Sequence, residues 1–211
     1  MELELTDDQQ LFRETTRKFL ETSTPLTVVR EIAAENPDGF DRGWWRRGAE
    51  LGWTSMLVPE ELGGGSVSGE GVMDLQLIAE EMGRMVSPGP LLPTNVVAAA
   101  LSQPGAAGHH DDVVAGLLSG ETIATWAVAE PGGTWSPAEA QVRAQPGDGG
   151  FVLQGAKTAV EAAAQSDYFL VSARTGEGLT QFLVPADTPG ISVTALESLD
   201  MVRRFGRVNF D

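Results

Sequence analysis

Two short runs in the sequence hold residue types that could bind a metal ion or a phosphate. His109 and His110 are followed directly by two aspartates, and imidazole and carboxylate groups are common metal ligands. Adjacent side chains point to different sides of the chain, however, and Asp111 is well suited to cap a helix, so a loop is the favoured interpretation. The glycine run Gly63–Gly65 lacks the Lys-Ser/Thr pair that follows in a phosphate-binding loop, which favours a turn.

The arginines and the absence of cysteine limit which other kinds of site this chain could contain. Arg203 and Arg204 could approach a ligand phosphate, but surface charges on a loop beside a strand need no function, and this second interpretation is slightly favoured. The chain has no cysteine, which excludes thiolate catalysis, disulfides and cysteine-ligated metals.

Composition limits the partners of this chain. Its 211 residues are 42% hydrophobic, which is ordinary for a globular protein, and carry a formal net charge of -16. Such a surface repels phosphate backbones and anionic lipid, so neither nucleic acid nor a membrane is an expected partner. The acidic start Met1-Glu2-Leu3-Glu4 is unlike a signal peptide, and no run approaches the roughly 18 apolar residues of a membrane span. We expect a cytoplasmic protein.

Helical patterns fill the first part of the chain. Thr6 and Gln9 form a capping box that predicts a helix directly after them. Apolar periodicity and end signals predict four further helices, at 41–52, 70–86, 94–101 and 111–118. Asn36-Pro37-Asp38-Gly39 has the composition of a turn, and Trp44, Trp45 and Trp53 are expected to be packing residues.

The pattern changes after Gly120 to short apolar runs separated by glycine, proline and polar clusters. Seven strands are predicted, at 123–129, 141–144, 151–154, 168–173, 180–184, 191–194 and 207–210. The predicted fold class is α+β, with an all-α helical domain at 1–120 and an antiparallel β-barrel or sandwich domain at 121–211. The sequence stops at Asp211 within an apolar run, and we expect the domain to be cut at or near its end.

Seven short motifs occur in order along nearly the whole chain. They are LGW (51–53) with VPEELGG (58–64), IAEEMGR (78–84), LSGETIA (118–124), AEPG (129–132), GAK (155–157), FLVPADTPG (182–190) and LDMVRR (199–204). Each is weak alone, but together they resemble the N-terminal and middle domains of acyl-CoA dehydrogenases. The resemblance implies that a C-terminal four-helix domain should follow Asp211.

The resemblance also implies a reaction. Acyl-CoA dehydrogenases remove hydrogens from Cα and Cβ of an acyl-CoA thioester: a carboxylate takes the α-proton and FAD accepts the hydride. The family's glutamate base lies on the C-terminal domain, so no catalytic residue is expected in this chain, and the chain alone should be inactive. The implied partners are an acyl-CoA substrate, an electron-transfer protein, and further subunits in a homo- or hetero-oligomer.

The resemblance places the FAD ring against two segments of the middle domain. In the first segment Trp126, Val128, Glu130, Pro131 and Gly132 match the family pattern. Four candidate cofactor-binding positions depart from it: Ala129 replaces a threonine, Trp135 lies in the altered Thr134-Trp135-Ser136 run, and in the second segment Ala159 and Glu161 replace an aromatic residue and a hydroxyl residue.

These departures leave two main interpretations open. In one, Trp135 supplies the missing aromatic surface and backbone amides suffice to hold FAD. In the other, the whole protein is a non-catalytic partner subunit with a degenerate flavin site, because an ionised Glu161 would oppose reduction to anionic flavin. A third and less favoured interpretation is altered flavin chemistry on a substrate other than a CoA thioester.

Overall fold

The computed structural model describes residues 4–36, 39–133 and 136–211. The chain forms two compact units, Met1–Thr122 and Ile123–Asp211. The predicted α+β class is confirmed, since helices make up the first unit and strands dominate the second. Across the described ranges, no helix combines the length and apolar character that crossing a bilayer requires.

Six α-helices lie in the described part of the first unit. They are α1 (Asp7–Ser23), α2 (Leu26–Glu35), α3 (Arg42–Glu50), α4 (Gly71–Met85), α5 (Leu91–Leu101) and α6 (Asp111–Ser119). The predicted capping box is present: Thr6 Oγ1 accepts from the Gln9 amide at 3.2 Å, and Gln9 Oε1 accepts from the Thr6 amide at 3.1 Å. The helix α2 was not predicted, and Pro37 and Asp38 of the predicted turn lie outside the described residues.

Aromatic packing forms the core of the helical unit. Trp44, Trp45 and Trp53 are all buried, as predicted, and the Trp53 ring lies edge-on to Trp44 and Phe19 at 5.5 Å from each. A Cβ on Gly48 would lie 2.3 Å from a Trp53 ring carbon, so only glycine allows α3 to approach this ring. The glycine run is a turn as predicted, with Gly63 in the left-handed region after a 3-10 turn at Glu60–Leu62.

A buried carboxylate links α1 to α4. Glu81 has no exposed side-chain surface, and its oxygens accept from Arg17 Nε at 3.0 Å and from Arg84 Nε at 2.8 Å. The hydrogen bond from Arg17 holds the pKa of Glu81 below its ordinary value, against the raising effect of burial. The Glu81 carboxylate is therefore ionised and joins two helices that are far apart in the sequence.

The second unit contains one mixed sheet. Its strands are β1 (Ala124–Ala127), β2 (Arg143–Gly147), β3 (Gly150–Glu161), β4 (Tyr168–Thr175), β5 (Gly178–Pro185), β6 (Ile191–Leu196) and β7 (Phe205–Phe210). The prediction of a purely antiparallel sheet is wrong, because β1 and β2 both pair in parallel with β4. The other pairs, β2 with β3, β3 with β7, β7 with β6 and β4 with β5, are antiparallel.

The parallel pairing explains why a long loop leaves the sheet. Strand β1 pairs Ala124 to Ala127 with the first half of β4, and β2 pairs Arg143 with Arg174 at the end of β4. Since β1 and β2 run in the same direction along one side of β4, the chain between them leaves the sheet. This excursion, residues 128–142, carries the AEPG motif.

Candidate functional site

The candidate site starts at the end of β1. Trp126 is half-buried, and its Nε1 donates to the buried Ser172 Oγ at 3.2 Å, which in turn donates to Gln181 Oε1 at 3.1 Å. This hydrogen bond fixes the indole against β4 and β5. Val128 is half-buried and Ala129 is buried, and both turn backbone carbonyls toward β3.

A buried lysine holds this loop to β3. Lys157 is fully buried, and its Nζ donates to the Val128 carbonyl at 3.1 Å and to Glu130 Oε1 at 2.7 Å. Next to it, the Thr158 amide donates to the Ala129 carbonyl at 2.9 Å. Three consecutive loop residues are thus fastened to two consecutive residues of β3, so the two candidate flavin segments lie side by side.

Glu130 continues the same network on its other side. Its carboxylate also accepts from the backbone amides of Gln141 at 2.6 Å and Val142 at 3.0 Å, which ties the start of the loop to its end. Burial alone would raise the pKa of Glu130, but the hydrogen bonds from Lys157 and the two amides outweigh it and hold the pKa below its ordinary value. Burial lowers the pKa of Lys157, and Glu130 partly offsets this effect.

A cleft of about 430 Å³ opens between the two ends of the loop. It is lined by Val128, by residues 130–133, by Ser136, by residues 138–141 and by Arg174. Arg174 Nε and Nη2 donate to the carbonyls of Ala140 and Ala138 at 3.2 and 2.5 Å, so the cleft has a fixed wall. Pro131 and Gly132 form an exposed turn at its mouth, whereas Trp135 lies outside the described residues.

The second segment contains a backbone irregularity at the candidate position Ala159. The register between β3 and β7 shifts between Lys157 and Val160, and Ala159 has a φ of 49° in the left-handed region. Ala162 is also left-handed, with a φ of 54°. The small Ala159 side chain is half-buried and has no aromatic ring to stack on a flavin.

Glu161 is part of an ion pair that the sequence analysis did not anticipate. Both of its carboxylate oxygens accept from Arg203, at 3.0 Å from Nε and 2.5 Å from Nη2. The Glu161 side chain is 19% exposed and that of Arg203 is 48% exposed. The hydrogen bonds that Arg203 donates to Glu161 raise the pKa of Arg203 above its ordinary value. Arg203 is thus a half-exposed charge, as the favoured interpretation expected, and its partner is a candidate site residue.

The histidine run forms no metal centre in the described structure. Asp111 is the first residue of α6 rather than its cap, and its carboxylate accepts from the Gly108 amide at 3.0 Å. Within residues 4–36, 39–133 and 136–211, no cluster of three or more histidine, aspartate or glutamate side chains could hold a metal ion. His109 and His110 lie in a bend directly before α6, in agreement with the loop interpretation.

Comparison with known proteins identifies the family. Residues 6–121 match the profile of the acyl-CoA dehydrogenase N-terminal domain, and residues 125–211 match that of the acyl-CoA dehydrogenase middle domain. The chain is 31% identical over 198 residues to benzylmalonyl-CoA dehydrogenase of Aromatoleum aromaticum, covering 92% of this chain and 51% of that protein. The chain thus spans about half the length of this curated relative.

Solved structures show the same fold. The steroid acyl-CoA dehydrogenase Tcur3481-Tcur3483 (G363A variant) superposes with a TM-score of 0.85 at 28% identity, over 97% of this chain and 55% of that chain. The ChsE4-ChsE5 complex from Mycobacterium tuberculosis gives a TM-score of 0.80 at 28% identity, over 100% of this chain and 56% of that chain.

The helical unit, the mixed sheet and the two joined segments define the N-terminal and middle parts of a flavoprotein dehydrogenase. The chain belongs to the acyl-CoA dehydrogenase family, as its motifs predicted. Enzymes of this family are FAD-dependent oxidoreductases that act on CH–CH bonds.

Proposed function

We propose that the whole protein catalyses, or is a subunit of an assembly that catalyses, FAD-dependent α,β-dehydrogenation of an acyl-CoA thioester. The observation that carries this proposal is the Lys157 network, which holds the loop at 128–130 against β3 beside a cleft of about 430 Å³. The network brings together two segments that are far apart in the sequence and correspond in position to the family's flavin-contacting segments. The first matches the family pattern, and the second departs from it at Ala159 and Glu161.

The residues of this chain would bind and orient the cofactor. When bound, FAD supplies the hydride acceptor for the substrate's Cβ. Trp126, Val128 to Gly132, Trp135, Ala159 and Glu161 are the proposed cofactor-contacting positions of this chain. We assign the α-proton abstraction to a carboxylate outside residues 1–211, and propose that these residues alone are inactive.

The fit of FAD to this site has a direct observable. Because the loop is preorganised by buried contacts, the purified chain should bind FAD and quench its fluorescence. In the whole protein, anaerobic addition of an acyl-CoA should bleach the visible flavin absorption. Bound flavin that no acyl-CoA bleaches would contradict the proposed reaction while leaving the cofactor assignment intact.

A second candidate function is a partner subunit with a degenerate flavin site. Two observations favour it: Ala159 offers no ring, and both oxygens of Glu161 are occupied by Arg203 instead of offering a hydroxyl. The two solved relatives described above carry two protein names each, which fits assemblies of unlike subunits. On this proposal the partner is another acyl-CoA dehydrogenase-type subunit that carries the flavin.

Absorption spectra distinguish the two candidates. The whole protein is expressed alone and then together with a second acyl-CoA dehydrogenase-type subunit from the same genome. Flavin in the protein expressed alone supports the catalytic interpretation. Flavin only in the co-purified complex supports the partner-subunit interpretation, and it predicts that the electron acceptor meets the other subunit.

A further inference from the structure

The Glu161–Arg203 ion pair lies at the end of the second candidate flavin segment. Glu161 is the last residue of β3 and follows the bulge that contains Ala159. Its carboxylate is mostly buried, and two parallel hydrogen bonds from one guanidinium occupy both oxygens. This geometry is the bidentate form in which an arginine neutralises a carboxylate most effectively.

Arg203 is held in place from three directions. Its backbone amide donates to Asp200 Oδ1 at 3.0 Å, which fixes the turn before it. Its guanidinium carbon lies 5.1 Å from the centre of the Phe205 ring, within the range of a cation–π contact. The Ala162 amide donates to the Arg204 carbonyl at 2.7 Å, so the arginine-bearing loop is fastened to the end of β3. The pair is therefore a built element rather than a chance surface contact.

The charges around the pair decide its effect on a bound flavin. A lone carboxylate beside the ring would disfavour the anionic reduced form, because like charges at short range repel. Arg203 cancels that charge, and Asp200 directs its carboxylate to the backbone amides of Val202 and Arg203 rather than toward Glu161. The Glu161–Arg203 pair itself therefore carries no net charge.

We propose that Arg203 is a positioning and charge-compensating residue that cancels the charge of Glu161 at the candidate flavin site and so permits reduced, anionic FAD to bind. This inference rests on the proposed function, since it assumes that FAD lies beside residue 161. It predicts that the two residues act as one unit: loss of either alone changes the preference for flavin redox state, and loss of both restores it.

The test measures dissociation constants of oxidised FAD and of dithionite-reduced FAD for the purified chain under anaerobic conditions. In Arg203→Gln the dissociation constant of reduced FAD divided by that of oxidised FAD should rise roughly tenfold, because the Glu161 charge is then uncompensated. In Glu161→Gln the ratio should fall, because Arg203 is unpaired. The double variant should return to the wild-type ratio within about twofold.

Arg143→Gln is the matched control. It removes the same charge from an exposed position on β2 and should leave the ratio unchanged. Arg203→Lys keeps the charge and should also retain most of the wild-type ratio, which makes the test usable if Arg203→Gln folds poorly.

The outcomes separate this inference from the proposed function. Equal changes in both constants, or an unmoved ratio in Arg203→Gln, overturn the charge-compensating role while FAD binding itself stands. Failure of the wild-type chain to bind FAD in either redox state overturns the cofactor assignment, and the role given to Arg203 falls with it. A double variant that differs from wild type as much as Arg203→Gln does would also contradict the pair acting as one unit.

Discussion

Lys157 Nζ lies 2.7 Å from Glu130 Oε1, and this buried ion pair joins two segments that are 27 residues apart. Strand β1 ends at Ala127, and the loop that follows is also connected to β3 through the Val128 and Ala129 carbonyls, which accept from Lys157 Nζ and from the Thr158 amide. A buried ion pair is weak evidence for net stability, because desolvation opposes the attraction. Its contribution here is to specify where the loop lies.

Removing the lysine should therefore destabilise the fold more than removing both partners. Lys157→Met leaves the Glu130 carboxylate buried without its cation, and we expect a loss of about 3–5 kcal/mol in the free energy of unfolding. Glu130→Gln/Lys157→Met should recover part of that loss. Urea unfolding followed by circular dichroism measures both, with Lys18→Met, at an exposed position of α1, as the control. A double variant less stable than Lys157→Met would disprove the uncompensated-charge explanation.

Acid stability should depend on Glu81. Its pKa is lowered in the folded state, so it binds protons more weakly there than in the unfolded chain. The stability it contributes is present above the ordinary value of 4.5 and is lost as pH falls through the lowered folded value. Glu81→Gln should cost about 1–3 kcal/mol at neutral pH and flatten the fall in stability below that pH.

Glu80→Gln is the matched control for this prediction, because Glu80 is the exposed neighbour on the same helix. Thermal unfolding midpoints between pH 3 and pH 7 give the profile. If the unfolding midpoints of Glu80→Gln and Glu81→Gln fall equally at acid pH, the acid dependence comes from the net charge of the protein instead of from the buried Glu81 site.

Two helical glycines should respond to alanine in opposite directions. A Cβ at Gly48 would lie 2.3 Å from the Trp53 ring, so Gly48→Ala should cost about 1–3 kcal/mol through overpacking. Gly83 in α4 has no neighbour within 4 Å of the added carbon, so Gly83→Ala should stabilise the helix by about 0.5–1 kcal/mol. The urea midpoints of both variants measure these changes. A Gly48→Ala variant as stable as wild type would show that α3 moves away from Trp53.

Features set by neighbouring residues could be predicted from the sequence. Features that depend on contacts between distant segments could not. The Thr6–Gln9 capping box lies within four residues and was recognisable in the sequence, whereas α2 has no side-chain cap and buries only Val29. The parallel pairing of β1 and β2 with β4 depends on register between distant segments, which short apolar runs do not encode.

The candidate site shows the same limit. The motif at 129–132 located the loop, because its residues are contiguous. The partners that hold it, Lys157 and Arg174, come from β3 and β4. The contact between Glu161 and Arg203 spans 42 residues, and neither residue is marked by spacing or periodicity. The left-handed backbone at Ala159 was equally unpredictable, since alanine rarely adopts it.

A strained residue ends α4 and offers a simple stabilising change. Val86 is left-handed, with a φ of 53°, and its side chain is 49% exposed, so little packing offsets the strain. Val86→Gly should raise the free energy of unfolding by about 1 kcal/mol. Val72→Gly, at an exposed valine inside the same helix, should instead lower it by about 0.5–1 kcal/mol. Thermal midpoints measure both, and a Val86→Gly variant no more stable than wild type would contradict the strain assigned to Val86.

Restoring the family pattern in the second segment tests why Ala159 and Glu161 depart from it. Ala159→Trp with Glu161→Thr supplies the missing ring and hydroxyl, and on the degenerate-site interpretation it should strengthen FAD binding at least tenfold, a gain of about 1.4 kcal/mol. The left-handed backbone at Ala159 opposes a bulky residue by about 1–2 kcal/mol, so stability must be measured in parallel. Ala164→Trp, at an exposed alanine nearby, controls for non-specific stacking of FAD on an added indole. A folded double variant that binds FAD no better than wild type would contradict the degenerate-site interpretation, because the two replaced side chains would then not be what limits flavin binding.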